Sequence, residues 1–236
     1  MKLGLIVAME EELKIVLDNM DINEKTEYAG MIFYDGIYKG VKTIAVICGI
    51  GKVNSAICTQ ILISTFEVDK VINIGVAGGI GELEPGDVVI ANSLVQHDVD
   101  ASGFNYDLGR IPRLDTFDFK PDRELLEIAR KACKKIDNHK IYEGRIVTGD
   151  QFINSSEKAN WLKRYFGAIA CEMEGASIAQ VAYLNKIPFI VIRSISDNAD
   201  KKASISFDEF INIAAENATI ILENLLKEIS KIEEDK

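Results

Sequence analysis

The stretch AIACEMEGASIAQVA, residues 168–182, places two carboxylates inside a run of apolar and small side chains. Its first half, up to Met173, has the character of a short strand, and the small residues from Gly175 onward have helical character. Glu172 and Glu174 therefore lie where a strand passes into a helix. A buried carboxylate without a partner is so costly that it is normally neutralised, paired or bound to a ligand. The stretch predicts a strand-to-helix unit with a polar site at its junction.

Strands and helices alternate along the rest of the chain. Apolar, β-branched runs predict strands at 3–7, 32–38, 43–48, 70–75, 87–95, 141–148 and 188–195. Helical periodicity predicts helices at 11–20, 53–66, 123–136, 157–166, 175–184 and 207–232. This alternation predicts an α/β fold in which a central, twisted sheet lies between two layers of helices.

The sheet is predicted to be mixed, and the chain to form a single domain. Two tight β stretches within residues 30–48, joined by Gly36 and Gly40, indicate an antiparallel hairpin. The length of 236 residues suits one α/β domain. We therefore expect a single-domain, three-layer α/β/α fold over residues 1–230, with a polar C-terminal tail at 231–236.

Composition excludes several classes of function. A net charge of −10 argues against nucleic acid, because binding to a phosphate backbone needs clustered Lys and Arg. The apolar runs are too short to cross a membrane, and the N-terminal run is too short for a signal peptide, so we expect a cytoplasmic protein. The four cysteines and two histidines show neither metal-ligand nor disulfide-framework spacing, which predicts no metal and no cofactor of that kind.

Candidate site residues follow the predicted strands, because ligands bind at the carboxyl ends of strands in such sheets. GIGKV at 49–53 and GVAGGIG at 75–81 do not fit a dinucleotide fingerprint. Their glycines are equally compatible with plain turns and with close approach of the backbone to a ligand. Glu10 and Glu11 suit the dipole of the first helix, whereas Glu12 is either a third such charge or a general base.

The other acids also have two interpretations. Glu172 and Glu174 share a face in an extended segment, where a carboxylate can accept hydrogen bonds from sugar hydroxyls. The alternative is an internal salt bridge to Arg193. The segment RSISDNAD, 193–200, is unusually polar for the end of a buried strand. Asp197 there could protonate a leaving group, and Arg193 could orient a carboxylate or a ribose oxygen.

Six motifs, in order over nearly the whole chain, together carry a family resemblance. They are AMEEE (8–12), GIGKV (49–53), AGG (77–79), TGDQFIN (148–154), CEMEGA (171–176) and RSISD (193–197). With them the chain resembles the 5′-methylthioadenosine/S-adenosylhomocysteine nucleosidases of the nucleoside phosphorylase superfamily. The resemblance implies a nucleoside phosphorylase-like fold and a hydrolase that acts in methionine salvage and methyl-cycle recycling. Without a cofactor, it would release adenine from these nucleosides or from a close relative such as 5′-deoxyadenosine.

The resemblance also implies roles for individual residues. Glu12 is expected to activate the attacking water, Glu174 to accept from the ribose hydroxyls and Asp197 to serve the purine N7. The remaining expected substrate-binding residues are Met9, Ile50, Val76, Ala77, Gly78, Phe104, Tyr106, Phe152, Ile153, Glu172, Met173, Arg193, Ser196 and Phe207. Ala101 and Pro112 are expected to reach the site across the interface of a homodimer.

Two rival functions remain open at this stage. A purine nucleoside phosphorylase of the same fold would need a phosphate site, yet residues 1–109 contain no arginine and Glu12 would repel the anion. A non-catalytic nucleoside-binding protein is favoured by Val76, because the family commonly has Ser at this position and Val removes a hydroxyl. Such a protein would be expected to lack one of the acids, and all three are present.

Overall fold

The computed structural model describes residues 1–133, 140–199 and 203–234; the side chains of 204–209, 212, 233 and 234 are outside this description. The strands are β1 (Lys2–Val7), β2 (Asp21–Tyr28), β3 (Met31–Tyr38), β4 (Val41–Ile47), β5 (Lys70–Gly79), β6 (Val88–Gln96), β7 (Ile141–Thr148), β8 (Ala168–Glu172) and β9 (Phe189–Asp197). The helices are α1 (Glu10–Asp18), α2 (Lys52–Ser64), α3 (Arg123–Cys133), α4 (Ser156–Phe166), α5 (Gly175–Asn185) and α6 (Ala203–Glu234).

The strands form one mixed sheet in the order β2-β3-β4-β1-β5-β8-β7-β6-β9. β1 pairs in parallel with β4 and β5, while β2, β3 and β4 form an antiparallel meander at one edge. β5 has a third partner, because it also pairs in parallel with β9. Since β9 pairs with β6, the five strands β5, β8, β7, β6 and β9 close on themselves. The mixed sheet predicted from the sequence is confirmed.

Helices cover both faces of the sheet. Alternate side chains of the central strands point to opposite sides, as the period of two requires. In β5, Ile72 and Ile74 pack in a core with α1, α3 and α6, and Val71 packs in a second core with α2 and α5. A third, smaller cluster lies beneath α4. The α/β/α layering predicted from the sequence is therefore confirmed.

Two expectations about the meander were wrong. β2 was not predicted, because its sequence DINEKTEY is mostly polar; it is an exposed edge strand paired only to β3 among the described residues. Gly36 is not a turn residue, since it lies within β3, and the hairpin turns at Lys39 and Gly40 instead. A Cβ at Gly36 would lie 2.2 Å from the Asp21 carbonyl oxygen, so glycine there permits close approach of β2.

Several element ends differ from the prediction. β5 continues to Gly79 and β9 to Asp197, because their glycine-rich and polar ends still pair with neighbouring strands. α6 begins at Ala203 and ends at Glu234, inside the segment predicted as a polar tail. The predicted end of α3 at Ile136 lies outside the described residues. No helix in the described part of the chain has the length and apolar character needed to cross a membrane.

Candidate active site

A cavity of about 390 Å³ lies where β1, β5, β8 and β9 end. The loops after β4 and β7 and the first turn of α1 complete its wall. Residues from six separate segments thus meet at one place, as expected for the carboxyl ends of strands. The lining residues are Ala8, Met9, Glu12, Ile50, Val76, Ala77, Gly78, Phe152, Cys171, Glu172, Met173, Glu174, Ser196 and Asp197.

Glu12 is held at this cavity by backbone amides. It is only 2% exposed, and its Oε2 accepts from the amides of Ala8 at 2.8 Å and Met9 at 3.0 Å. Its Oε1 accepts from the Val76 amide at 3.0 Å. Burial raises the pKa of Glu12, and Arg193 and these amides offset part of that rise. A carboxylate has about four acceptor positions, so one remains for a further donor.

Gly75 leaves the space that Glu12 and Arg193 need. A Cβ at this position would lie 2.6 Å from Glu12 Oε1 and 2.9 Å from Arg193 Nη1. Its φ is not positive, so the backbone conformation itself does not require glycine. The requirement is steric, which means that close approach of functional groups, rather than a turn, explains this glycine.

Glu172 is bound internally. Its Oε1 accepts from the Thr148 hydroxyl, and its Oε2 accepts from the amides of Glu174 at 3.1 Å and Gly175 at 2.7 Å. The same Oε2 is 2.5 Å from Arg193 Nη2. Of the two interpretations left open by the sequence, the salt bridge to Arg193 is the one that the structure shows for Glu172.

Glu174 has a more open environment than Glu172, although the two are only two residues apart. It is the residue before α5, and its Oε1 accepts from the Gly51 amide at 2.9 Å. Its Oε2 lies 3.8 Å from Arg193 Nη2, which is beyond hydrogen-bond distance. Burial, with the nearby Glu172, raises the pKa of Glu174 to about 7. Glu174 therefore keeps an oxygen available to hydroxyl donors in the cavity.

Arg193 is the single cation that faces these acids among the described residues. It is 1% exposed, and Asn73 Oδ1 accepts from its Nη2 at 2.6 Å. Its Nε and Nη1 have no hydrogen-bond partner in the described chain. Three carboxylates, on Glu12, Glu172 and Glu174, face one guanidinium, so full ionisation would leave negative charge uncompensated. Burial raises the pKa of both Glu12 and Glu174, the nearby Glu172 adds to the rise for Glu174, and Arg193 opposes the rise for both.

Asp197, at the end of β9, also lines the cavity. Ser196 Oγ donates to its Oδ2 at 2.9 Å, and the Ala199 amide donates to its Oδ1 at 2.8 Å. It is 2% exposed. A Cβ at Gly78 would lie 3.1 Å from Asp197 Oδ1, so glycine there keeps the approach to this acid clear. The arrangement puts a third buried acid in the same cavity as Glu12 and Glu174.

Comparison with known proteins identifies the family. A family model described as the Phosphorylase superfamily matches residues 2–227. A 5′-methylthioadenosine/S-adenosylhomocysteine nucleosidase from Psychromonas ingrahamii is 41% identical over 232 residues, which are 98% of this chain and 100% of that protein. The chain belongs to the methylthioadenosine/S-adenosylhomocysteine nucleosidase family. A nucleosidase of the same name from Bacillus cytotoxicus is 39% identical over 97% of this chain and 100% of its own length.

Solved structures of the nucleosidase family have the same fold. The Neisseria meningitidis nucleosidase in complex with methylthio-immucillin-A is 38% identical and superposes with a TM-score of 0.92 over 96% of this chain and 98% of that one. Futalosine hydrolase from Helicobacter pylori is 37% identical, with a TM-score of 0.91 over 96% of this chain and 97% of that one. Two named activities therefore occur on folds that match this chain equally well.

Most of the predicted nucleosidase site residues lie at the cavity. Ile153 lines a small recess next to it, together with Phe152, and Arg193 lies behind the acids. The predictions missed Ala8 and Cys171, which line the cavity, and Asn73 and Thr148, which orient Arg193 and Glu172. Ala8 and Cys171 are the first residues of two quoted motifs, which is the signal that would have found them.

The family resemblance also implies that Met9, Ile50, Phe104, Tyr106 and Phe207 line the alkylthio end of the substrate. Of these, Met9 and Ile50 line this cavity, whereas Phe104 and Tyr106 do not. Phe104 is 82% exposed, Tyr106 is half-buried, and both follow β6 in a segment that also contains Ala101 and Pro112. None of these four lines the cavity of the single chain described here. Phe207 lies in α6, and its side chain is outside the described residues. The roles of all these residues stay predictions.

Proposed function

We propose that the chain hydrolyses the N-glycosidic bond of 5′-methylthioadenosine and S-adenosylhomocysteine, releasing adenine and the 5-thio-substituted ribose. The observation that carries this proposal is the convergence of Glu12, Glu174 and Asp197 on one cavity. Cleavage of this bond builds positive charge on the ribose and negative charge on the departing base. Buried carboxylates beside the sugar stabilise the first charge, and a proton delivered to the base removes the second.

Each acid has a separate task in this proposal. Glu12, whose pKa is raised mainly by burial, takes a proton from water more readily than an exposed carboxylate does. Glu174 accepts hydrogen bonds from the ribose hydroxyls through the oxygen that faces the cavity. Asp197 donates a proton to N7 of the departing purine and accepts a hydrogen bond from its 6-amino group. An inosine-type base presents an oxygen there, so this contact favours adenine.

Water, rather than phosphate, is the proposed nucleophile. Neither Arg nor Lys is among the residues that line the cavity in the described chain. Arg193, behind them, is already paired with Glu172, and a phosphate dianion would meet the carboxylates of Glu12 and Glu174. Phosphate sites usually offer Arg forks or free amides, so the lining disfavours a phosphorylase.

The identity of the sugar product tests the proposal. Purified protein is incubated with methylthioadenosine, with and without phosphate, and the products are separated and identified. We expect adenine and free methylthioribose at equal rates under both conditions. A sugar 1-phosphate that forms only with phosphate would contradict the proposal and favour a phosphorylase. Tight binding of the nucleoside without cleavage would favour a non-catalytic binding protein.

Futalosine is the second substrate to assay, because a futalosine hydrolase matches this fold with a TM-score of 0.91. Faster cleavage of futalosine than of methylthioadenosine would reassign the substrate while leaving the hydrolytic chemistry in place.

We also propose a homodimer in the cytoplasm. The 82% exposure of the large apolar Phe104 in one chain supports an interface there, and light scattering in solution measures the assembly.

A further inference from the structure

Three charged residues outside the cavity tie together the segments after β4, β6 and β7. Lys52 Nζ lies 2.6 Å from Asp98 Oδ1. The Asp150 amide donates to Asp98 Oδ2 at 3.0 Å, and the Lys52 amide donates to Asp150 Oδ1 at 2.8 Å. We call Lys52, Asp98 and Asp150 the polar clamp. None of the three is among the residues that line the cavity in the described chain.

The clamp meets the active site at consecutive peptide groups. The Gly51 amide donates to Glu174 Oε1 at 2.9 Å, and the next amide, that of Lys52, donates to Asp150. Gly51 has a φ of 101°, which a residue with a Cβ rarely adopts. A Cβ there would also lie 3.1 Å from Asp150 Oδ1. At the start of α2, one amide therefore donates to a carboxylate of the site, Glu174, and the next donates to a carboxylate of the clamp, Asp150.

The side chains on either side of Gly51 and Lys52 are largely exposed, since Ile50 is 53% and Val53 is 68% exposed. The apolar core contacts of α2 lie further along the helix, at Cys58 and Leu62. At the start of α2, the Gly51 and Lys52 amides make polar contacts with Glu174 and Asp150. Burial alone would raise the pKa of Asp98, but the hydrogen bonds from Lys52 and from the Asp150 amide lower it below its usual range. Asp98 is therefore ionised at neutral pH, as its ion pair with Lys52 requires.

We propose that Lys52, Asp98 and Asp150 are positioning residues that hold the Gly51 amide against Glu174, and thereby set the affinity of the site for the ribose hydroxyls. The proposal rests on the proposed function, in which Glu174 accepts from those hydroxyls. The clamp acts through the Gly51 amide and touches neither the substrate nor the reacting atoms. Its loss is therefore expected to change KM more than kcat.

Two substitutions of Asp150 separate positioning from general stability. Asp150→Ala removes the acceptor of the Lys52 amide, and KM for methylthioadenosine is expected to rise about 3- to 10-fold, as for loss of one hydrogen bond. Asp150→Asn keeps a carbonyl oxygen as acceptor and is expected to restore KM to near the wild-type value. Glu143→Ala, which breaks the exposed ion pair with Arg130 at 2.7 Å, is the matched control and should leave KM unchanged.

A substrate without ribose hydroxyls makes the test specific to Glu174. The 2′,3′-dideoxy counterpart of methylthioadenosine cannot donate to Glu174, so Asp150→Ala should leave its KM unchanged. Equal KM increases for both nucleosides, no increase at all, or no rescue by Asp150→Asn would each overturn the proposal. If Asp150→Ala does not fold, Lys52→Met opens the clamp from its other end and is expected to give the same substrate-dependent change.

The failure of this proposal and the failure of the proposed function look different. If wild-type protein neither cleaves nor binds methylthioadenosine, the proposed function is wrong, and the clamp proposal falls with it. If wild-type protein cleaves it and the clamp variants match wild type on both nucleosides, the function stands and only the clamp proposal is overturned.

Discussion

Glu172 and Glu174 show how different two neighbouring carboxylates can be. Glu172 accepts from a hydroxyl, two amides and a guanidinium, so its burial is compensated by the protein itself. Glu174 lines the cavity and accepts from one amide, and burial, with Glu172 nearby, raises its pKa. The sequence allowed both a ligand site and a salt bridge for this pair. The structure shows the salt bridge for Glu172, while ligand binding by Glu174 stays a proposal.

The proposed base, Glu12, provides a prediction at the same scale. Glu12→Gln keeps the shape of the side chain but cannot take a proton from water, so kcat is expected to fall by about 10²- to 10⁴-fold. The side-chain amide would also face the backbone N–H of Val76, or those of Ala8 and Met9, with a donor. A loss of stability of about 1–3 kcal/mol is therefore expected as well.

Steady-state kinetics, with calorimetric binding of a nucleoside analogue, check this prediction. Binding should persist while turnover is lost, and thermal unfolding should show the lower stability. Near-wild-type turnover would mean that Glu12 is only a capping charge at the start of α1.

At the scale of elements, the sequence predicted the strands of the buried sheet well and its edge poorly. β1, β5 and β9 contain apolar runs because helices cover both of their faces. β2 has no such run, since most of its side chains face solvent, and it was missed. The ends of β5 and β9 were predicted too short because glycine and polar residues usually end strands. Here they remain paired and carry the site.

Gly36 provides the prediction at this scale. A methyl group there would lie 2.2 Å from the Asp21 carbonyl oxygen, so Gly36→Ala must push β2 away from β3. We expect a loss of about 1–3 kcal/mol in the free energy of unfolding, typical of overpacking. The cavity is formed by other strands, so kcat and KM of the folded protein should be unchanged. Gly30→Ala, at a φ of 74° with open space around it, separates clash from backbone strain.

Chemical denaturation and steady-state kinetics of both variants decide the point. The clash predicts a larger destabilisation for Gly36→Ala than for Gly30→Ala, whose cost is conformational. Equal losses of stability in the two variants would contradict the clash. An altered KM in Gly36→Ala would show that the meander does more than complete the edge of the sheet.

At the scale of the molecule, the closure of five strands around β5 could not be predicted from the sequence. The pairing of strands more than a hundred residues apart, such as β5 with β9, leaves no local pattern in the sequence. The side-chain period and the length of each strand, in contrast, can be recognised locally. Closure is also what brings Cys171 and Asp197 to the Gly78 segment of β5, and so completes the cavity. Most of the predicted site residues nevertheless lie at the cavity, because their motifs follow individual strands that were predicted. Their roles stay predictions.

The acid-rich interior gives the whole molecule a predictable response to pH. In the folded chain burial, with nearby Glu172, raises the pKa of Glu174 from its ordinary 4.5 to about 7. Between these values the folded state holds a proton that the unfolded state has released. The contribution of Glu174 to the free energy of unfolding is therefore expected to be fully present below pH 4.5 and to be lost as pH rises to about 7. The size of this contribution is on the order of 3 kcal/mol.

Denaturant unfolding of the wild type and of Glu174→Gln between pH 4.5 and 8 measures this contribution. The variant cannot ionise at this position, so its stability should depend less on pH, and the difference between the two proteins should grow as pH rises. Glu12, whose pKa is also raised, contributes with the same sign in both proteins and cancels in the comparison. Parallel curves would mean that Glu174 is ionised throughout, with Arg193 compensating its charge. The pH dependence of ligand affinity is an independent measurement, because ribose hydroxyls donate to the ionised carboxylate of Glu174. Binding to the wild type should therefore weaken as pH falls below about 7, whereas binding to Glu174→Gln should not.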